Sequence, residues 1–180
     1  MKILVINGND RDPVLDDYIR AYTEFLKQKG KTVKTIDLRN VVIKQCIECY
    51  TCMVKTPGIC ALKDGQQVIL SDYLASDTAV IFTTLRAGFI NSLTKRFLDR
   101  LFPLELPFID FKNGKMHHKL RYGKYPRMGF VFKPEVEADA EDIELNNIYA
   151  KHVGEYYSGL LFTKTIETGI QELANETIGV

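Results

Sequence analysis

The chain has no tryptophan and no excess of charge of either sign. Its 24 Lys+Arg residues stand against 23 Asp+Glu, a formal net charge of +1. That balance removes the electrostatic argument for a nucleic-acid partner, which needs a basic excess. No apolar run approaches the roughly 20 residues that span a bilayer, so no membrane partner is expected either. The N-terminal run Met1-Lys2-Ile3-Leu4-Val5-Ile6-Asn7-Gly8 begins at once as a strand. It lacks the basic segment, longer apolar stretch and small-residue cleavage site of a signal peptide, and a cytoplasmic protein is expected. Internal repeats, low-complexity tracts and linkers are absent too. What remains is ordinary globular composition, 46% apolar and 26% charged over 180 residues, enough for a single domain spanning 1–180.

Five apolar, β-rich runs alternate with helical patterns. Strands are expected at 2–7, 32–38, 78–84, 128–132 and 159–165, the buried ones carrying continuous apolar residues such as Ala79-Val80-Ile81-Phe82. Between them, Pro13 to Lys29 has one apolar stripe (Val14, Leu15, Tyr18, Ala21, Tyr22, Phe25, Leu26), with Asp12 to cap it and Gly30 to end it. Further helices are expected at Gln66 to Leu74, Ile90 to Phe102 and Ala138 to Tyr157, the last with an acidic first turn that suits the helix dipole. A short helix can follow the fifth strand. Residues 103–126 read as an irregular insertion. The alternation predicts a three-layer α/β fold, flavodoxin-like, with a five-stranded parallel sheet in order 2-1-3-4-5. Ligands in such a sheet sit beyond the carboxyl ends of the strands, near the switch point between the first and third.

Two segments carry chemistry. The loop Asn7-Gly8-Asn9-Asp10-Arg11-Asp12 leads into Pro13 and the first helix. A glycine before a helix N-terminus offers amides and a favourable dipole to a phosphate, and Arg11 adds a charged donor. Against this, Asp10 and Asp12 put two negative charges where the phosphate would sit, and the hydroxyls of a usual phosphate loop are missing. The plain alternative is a strand-to-helix turn capped by Asp12.

The second segment holds all four cysteines, Cys46, Cys49, Cys52 and Cys60, in a connection that occupies residues 44–64. Two overlapping C-x-x-C spacings in a reducing compartment argue against disulfides. Four thiolates can ligate a [4Fe–4S] cluster, which needs one protein ligand per iron, or complete a tetrahedral zinc site. They can also pack as inert small hydrophobes. The pair His117 and His118, in the insertion, would point apart in extended chain and reads as structural; His152 reads as a surface residue.

The stretch from Ile43 to Asp64, with its four cysteines, resembles the cysteine loop of the NADPH-dependent FMN reductase superfamily, and more narrowly the flavodoxin-like proteins related to iron–sulfur flavoproteins. Leu98-Asp99-Arg100 and the segment from Asn113 to Tyr122 match as well, and the likeness runs from residue 1 to about 165. It implies FMN as cofactor and electron transfer from NAD(P)H or another donor to a small-molecule or protein acceptor, and leaves a [4Fe–4S] cluster, zinc or free thiols as the open readings of Cys46, Cys49, Cys52 and Cys60. The flavin phosphate would lie at Gly8, Asn9, Asp10, Arg11 and Pro13. Its ring would lie between Thr84, Leu85, Arg86, Ala87, Gly88, Phe89 and the loop after Phe132.

Three departures bear on that reading. The family's first loop reads Asn-Gly-Ser-Pro-Arg, where this chain has Asn9-Asp10. Its loop after the third strand has Thr-Pro and a Phe-Gly, where this chain has Thr83-Thr84-Leu85-Arg86-Ala87-Gly88. The paired Asp after the fourth cysteine is reduced to Asp64-Gly65. FMN binding should therefore be weakened or lost, and Asp10→Ser should raise it. Arg86 either contacts the phosphate or the flavin edge, or is a surface residue; Phe89 either touches the flavin or packs in the core.

Two functions follow. One is a flavin-dependent oxidoreductase of the NAD(P)H:FMN reductase type, in which the flavin carries the redox chemistry and no catalytic side chain is required. The other is a flavodoxin-like binding protein that has lost FMN. A homodimer is expected because little chain remains after the fifth strand to cover the sheet, and because Leu104-Glu105-Leu106-Pro107-Phe108-Ile109 is apolar with no evident place in the monomer.

Overall fold

The structure, a computed structural model, describes residues 1–112, 114–157 and 159–179. A central sheet runs β2-β1-β3-β7-β8, built from β1 (Lys2–Gly8), β2 (Thr32–Asp37), β3 (Thr78–Arg86), β7 (Arg127–Lys133) and β8 (Leu160–Thr165). Every pairing along that path is parallel, with Ile3 beside Val33 and Thr78, and Ile81 beside Phe130. In strand order this is the expected 2-1-3-4-5. A two-residue strand, β4 (Phe89–Ile90), adds antiparallel to the end of β3.

Side chains alternate across the sheet, so each strand feeds two cores. Ile3, Val5, Val80 and Phe82 face α1 (Pro13–Gln28) and α6 (Ile170–Ile178), against Leu15, Tyr22, Leu26 and Leu173. Leu4, Ile6, Ala79 and Ile81 face α3 (Gln66–Leu74), α4 (Ser92–Asp99) and α5 (Ala140–Tyr157), against Leu70, Tyr73, Phe97 and Ala150. The fold is thus three layers, as the alternation predicts. Nine residues suffice for α6 to bury Leu173, Ala174 and Thr177. That corrects the expectation that one face lacks cover, and removes the first of the two arguments for a dimer.

Two elements differ from their sequence expectation. The helix expected from Ile90 starts at Ser92, because Ala87 and Gly88 both take positive φ (49° and 75°) and fold Phe89–Ile90 back onto β3. A two-residue turn of that hand matches the twist of paired strands. Asn91 then caps α4, its Oδ1 accepting from the amides of Leu93 and Thr94 at 3.0 Å. The insertion is not irregular: β5 (Glu105–Lys112) and β6 (Lys115–Leu120) form an antiparallel hairpin. Its root is buried, with Leu104 and Glu105 at 1% and 4% exposure, and Tyr125 Oη donates to the Leu104 carbonyl at 2.6 Å. Its far part leaves Phe108, Ile109, Phe111 and Met116 exposed. Apolar residues on both sides of a two-stranded ribbon do not alternate, which hid the strands from the sequence. Among the described residues no helix is long and apolar enough to cross a membrane.

Candidate functional site

The carboxyl ends of β1 and β3 meet at the switch point, and the loop from Gly8 to Pro13 lies there. Gly8 is required by packing: a Cβ would collide with the Thr94 hydroxyl and come within 2.8 Å of the Phe82 carbonyl oxygen. Asn9, fully buried, closes the loop on itself, accepting from the Asp12 amide at 2.8 Å and donating to the Asp12 carbonyl at 2.6 Å. Asp12 caps α1, its Oδ1 accepting from the amides of Val14 (2.9 Å) and Leu15 (3.1 Å). Pro13 occupies the first helical position, where a missing N–H costs nothing. Arg11 is exposed.

Asp10 does not stand free in this loop. Arg86 grips it in two places, Nε to Oδ2 at 2.7 Å and Nη2 to Oδ1 at 2.8 Å. Thr84 Oγ1 donates to the same Oδ1 at 2.8 Å, and the Arg11 amide does so at 2.9 Å. The Arg86 guanidinium, helped by that hydroxyl and amide, holds the Asp10 carboxyl down to about 2. Arg86, an exposed residue, is the partner of Asp10 through Nε and Nη2.

The other residues expected at the flavin ring are divided by the turn after β3. Thr84 is buried and hydroxyl-linked to Asn91 Nδ2 at 2.7 Å. Leu85 is fully buried, in the core cluster that holds Phe97 and Leu98 of α4. Ala87 and Gly88 form the tip, pinned by Asn146 Nδ2 to the Gly88 carbonyl (3.0 Å) and by the Ile90 amide to Asn146 Oδ1 (3.1 Å). Phe89, half-buried, packs edge-on against Tyr149, ring centres 5.0 Å apart. At the end of β7, Lys133 Nζ lies 3.7 Å from Asp12 Oδ2, and in the loop that follows Glu135 accepts from the Gly88 amide at 3.4 Å.

Asn91, Thr94, Lys133 and Asn146 were not singled out from the sequence. Only Asn91 carried a readable signal, an Asn just before an apolar helical run. The rest are brought in by topology.

The four cysteines line one small apolar pocket with Ile47, Tyr50, Leu62 and Phe102. Cys52 is buried in the single turn α2 (Thr51–Val54), and Cys49 is exposed between two left-handed residues, Glu48 (φ 50°) and Tyr50 (φ 51°). Burial pushes the Cys52 thiol up to about 11, with the three other cysteines adding to it. The hydroxyl and amide of Thr51 lower the Cys49 thiol. The thiols share a pocket but do not converge: among the described residues no three His, Cys, Asp or Glu are arranged to hold a metal ion. The expectation of convergence on one point is corrected to that extent. The donor set suits a thiolate-ligated cluster in kind.

The ends of this loop are tied by a buried ion pair. Arg100 Nη1 and Nη2 donate to Asp64 Oδ2 (2.9 Å) and Oδ1 (3.0 Å), and Nη1 also donates to the Lys44 carbonyl at 2.6 Å. Asp64 in turn accepts from the amides of Lys44 (2.9 Å) and Gln66 (3.1 Å). Cys60 acts on the same guanidinium, whose Nε makes no hydrogen bond.

The histidine pair does point apart. The His117 ring lies 5.0 Å from that of Tyr156, and His118 Nδ1 bonds the Leu106 carbonyl at 3.0 Å.

The family model described as NADPH-dependent FMN reductase matches residues 1–122. The chain belongs to that family. The matched span takes in the loop at Gly8, the cysteine loop and the turn at Ala87. An iron–sulfur flavoprotein of Archaeoglobus fulgidus is 29% identical over 100 residues, 56% of this chain and 48% of the relative. A second iron–sulfur flavoprotein, from Methanocaldococcus jannaschii, is 26% identical over 100 residues, covering 56% and 50%. This chain thus spans about half the length of the curated relatives it matches. Among solved structures, an azoreductase of Bacillus anthracis superposes with a TM-score of 0.70 at 13% identity, each chain fully covered. An FMN-dependent NADH-azoreductase of the same species, in complex with FMN, has a TM-score of 0.59 at 17% identity, covering 99% of this chain and 95% of the other. At such identities the superpositions speak for the fold: this FMN reductase family member has the flavodoxin-like architecture expected from its sequence.

Proposed function

We propose that the chain is a flavin-dependent oxidoreductase of the NAD(P)H:FMN reductase type, moving electrons from a nicotinamide to a small-molecule or protein acceptor. One observation carries the reading: the family match covers every segment that meets at the switch point before β7, the loop at Gly8 and the turn at Ala87 included. The flavin, when bound, supplies the hydride and electron chemistry. The chain's own residues bind and orient it, and no side chain is assigned as acid, base or nucleophile. Gly8, Asn9, Arg11 and Pro13 would border the ribityl end, while Thr84, Arg86, Ala87 and Gly88, with Lys133 and Glu135 across the cleft, would border the ring. Asp10 and Asp12 already engage several donors that a phosphate there would use, so FMN would compete with the Asp10–Arg86 pair, with the exposed Arg11 as the donor still at hand.

The test is direct. Purified protein should oxidise NADPH or NADH when flavin is added, and should show flavin absorbance if the flavin is retained. The rival reading, a flavodoxin-like binding protein that has lost FMN, draws support from the same committed donors; it prevails if no flavin at all supports turnover.

Two attributes belong to the proposal. The names of the curated relatives and the shared pocket support a cluster on Cys46, Cys49, Cys52 and Cys60. Anaerobic iron and sulfide assays near zero on folded protein would remove it. The exposed Phe108, Ile109, Phe111 and Met116 on the β5–β6 hairpin support a homodimer. Light scattering giving a mass near 20.6 kDa at micromolar concentration would end that claim.

A further inference from the structure

We infer that Asp10 is a built-in anion of the loop between β1 and α1, and that it sets which flavin this site takes: riboflavin, with its uncharged ribityl end, in preference to FMN. The inference rests on the flavin reading above and narrows it.

A phosphate at a strand-to-helix turn is held by amide N–H groups, hydroxyls and a guanidinium. This loop has all three, and its own carboxylates engage most of them, while the Arg11 guanidinium stays exposed. Asp10 takes the Nε and Nη2 side of the Arg86 guanidinium, the Thr84 hydroxyl and the Arg11 amide. Asn91 donates to Thr84 Oγ1, which leaves the single Thr84 proton to Asp10. Asp12 takes the amides of Val14 and Leu15, its own amide is spent on Asn9, and Pro13 has none. The Asp16 amide bonds the Asp12 carbonyl at 3.2 Å. The carboxylate of Asp10 thus rests on the donor set that a phosphate would need.

Arg11 apart, the cations nearby are matched in the same way. Arg39 is held by Asp16 and Asp37, Lys133 lies beside Asp12, and Glu135 acts on Arg86. A dianion entering here must break a bidentate Arg–carboxylate pair and then share the loop with the displaced Asp10 and with Asp12. A neutral polyol meets no such opposition. Its hydroxyls donate, and an ionised carboxylate offers about four acceptor positions. Asp10 Oδ2 accepts one bond within the protein, from Arg86, and Asp12 Oδ2 has Lys133 at 3.7 Å. Both oxygens are suited to ribityl hydroxyls.

Flavin fluorescence quenching at fixed ionic strength tests this, with riboflavin and FMN titrated separately into the wild type, Asp10→Ser and Asp10→Asn. The wild type should bind riboflavin about tenfold tighter than FMN. Asp10→Ser, which frees Arg86 and Thr84, should tighten FMN by about tenfold while riboflavin changes little. Adding Arg86→Ala to that variant should abolish the gain. Asp10→Asn keeps the side-chain shape without the charge, and stands in if thermal unfolding shows the serine variant misfolded. The inference is overturned if the wild type binds FMN as tightly as riboflavin or tighter, or if neither variant gains FMN affinity; in both cases the flavin reading stands. Binding of neither flavin to any variant would sink both together.

Discussion

Replacing Asp64 with Ala should cost more stability than any other single change in the cysteine loop. Asp64 and Arg100 are each about 1% exposed at the side chain, and the carboxylate accepts four hydrogen bonds, two from Arg100 and one each from the Lys44 and Gln66 amides. Truncation leaves a buried guanidinium without its counter-charge, together with two unpaired amides. Breaking a buried pair from one side costs about 3–5 kcal/mol. For a chain of this length each kcal/mol moves Tm by about 2–4 °C, so Tm should fall by about 6–20 °C. The double variant Asp64→Ala/Arg100→Met, with both charges gone, should recover a large part of that loss. Thermal and urea unfolding followed by circular dichroism give the numbers. Burial pushes the Asp64 carboxyl up, but the Arg100 guanidinium and the two amides outweigh it and hold it below the ordinary carboxylate value. A depressed folded pKa contributes stability that is complete above the unfolded value, near 3.9, and is lost as pH falls through the folded one. The gap between wild type and variant should therefore be flat from about pH 5 to 8 and shrink below about pH 4. A loss under about 1 kcal/mol at pH 7 would refute the argument that this pair staples the loop.

Three further outcomes are expected. Gly8→Ala should destabilise the protein by about 1–3 kcal/mol in urea melts, since its Cβ meets Thr94 and the Phe82 carbonyl, the latter a backbone atom that side-chain rotation cannot move. Burial raises the Glu105 carboxyl even though Tyr157 Oη donates to it at 2.5 Å. A raised folded pKa gives stability that is full below the unfolded value, near 4.3, and lost on going above the folded one, so Glu105→Gln should gain Tm relative to wild type as pH rises from 4 to 8. In metal-free protein, iodoacetamide followed by peptide mass spectrometry should label exposed Cys49 first and buried Cys52 last, because the thiolate is the reacting form; equal labelling of the two would contradict the geometry of the loop.

The parallel sheet was legible because its causes are local. Ile3-Leu4-Val5-Ile6 and Ala79-Val80-Ile81-Phe82 can only be strands buried on both faces, and Asp12, Pro13 and Gly30 mark the ends of α1 by capping chemistry that acts within a few residues. The hairpin of β5 and β6 was not legible, because its exposed apolar residues show no alternation, and neither was β4, which exists only because a turn of positive φ at Ala87 folds Phe89 back.

In the candidate site, the amino acids by themselves determined which groups were at hand: a glycine before a helix, two extra carboxylates, an unusual arginine after the third strand and four clustered cysteines. Their pairing came from the tertiary structure. Asp10 and Arg86 are 76 residues apart, and only the parallel pairing of β1 with β3 sets their side chains within 2.7 Å. Asp64 and Arg100 meet because α4 packs under the cysteine loop. From composition alone Asp10 is a charge that repels phosphate. In the folded chain it is a charge already answered, because an ion pair depends on distance through space and the sequence records only distance along the chain.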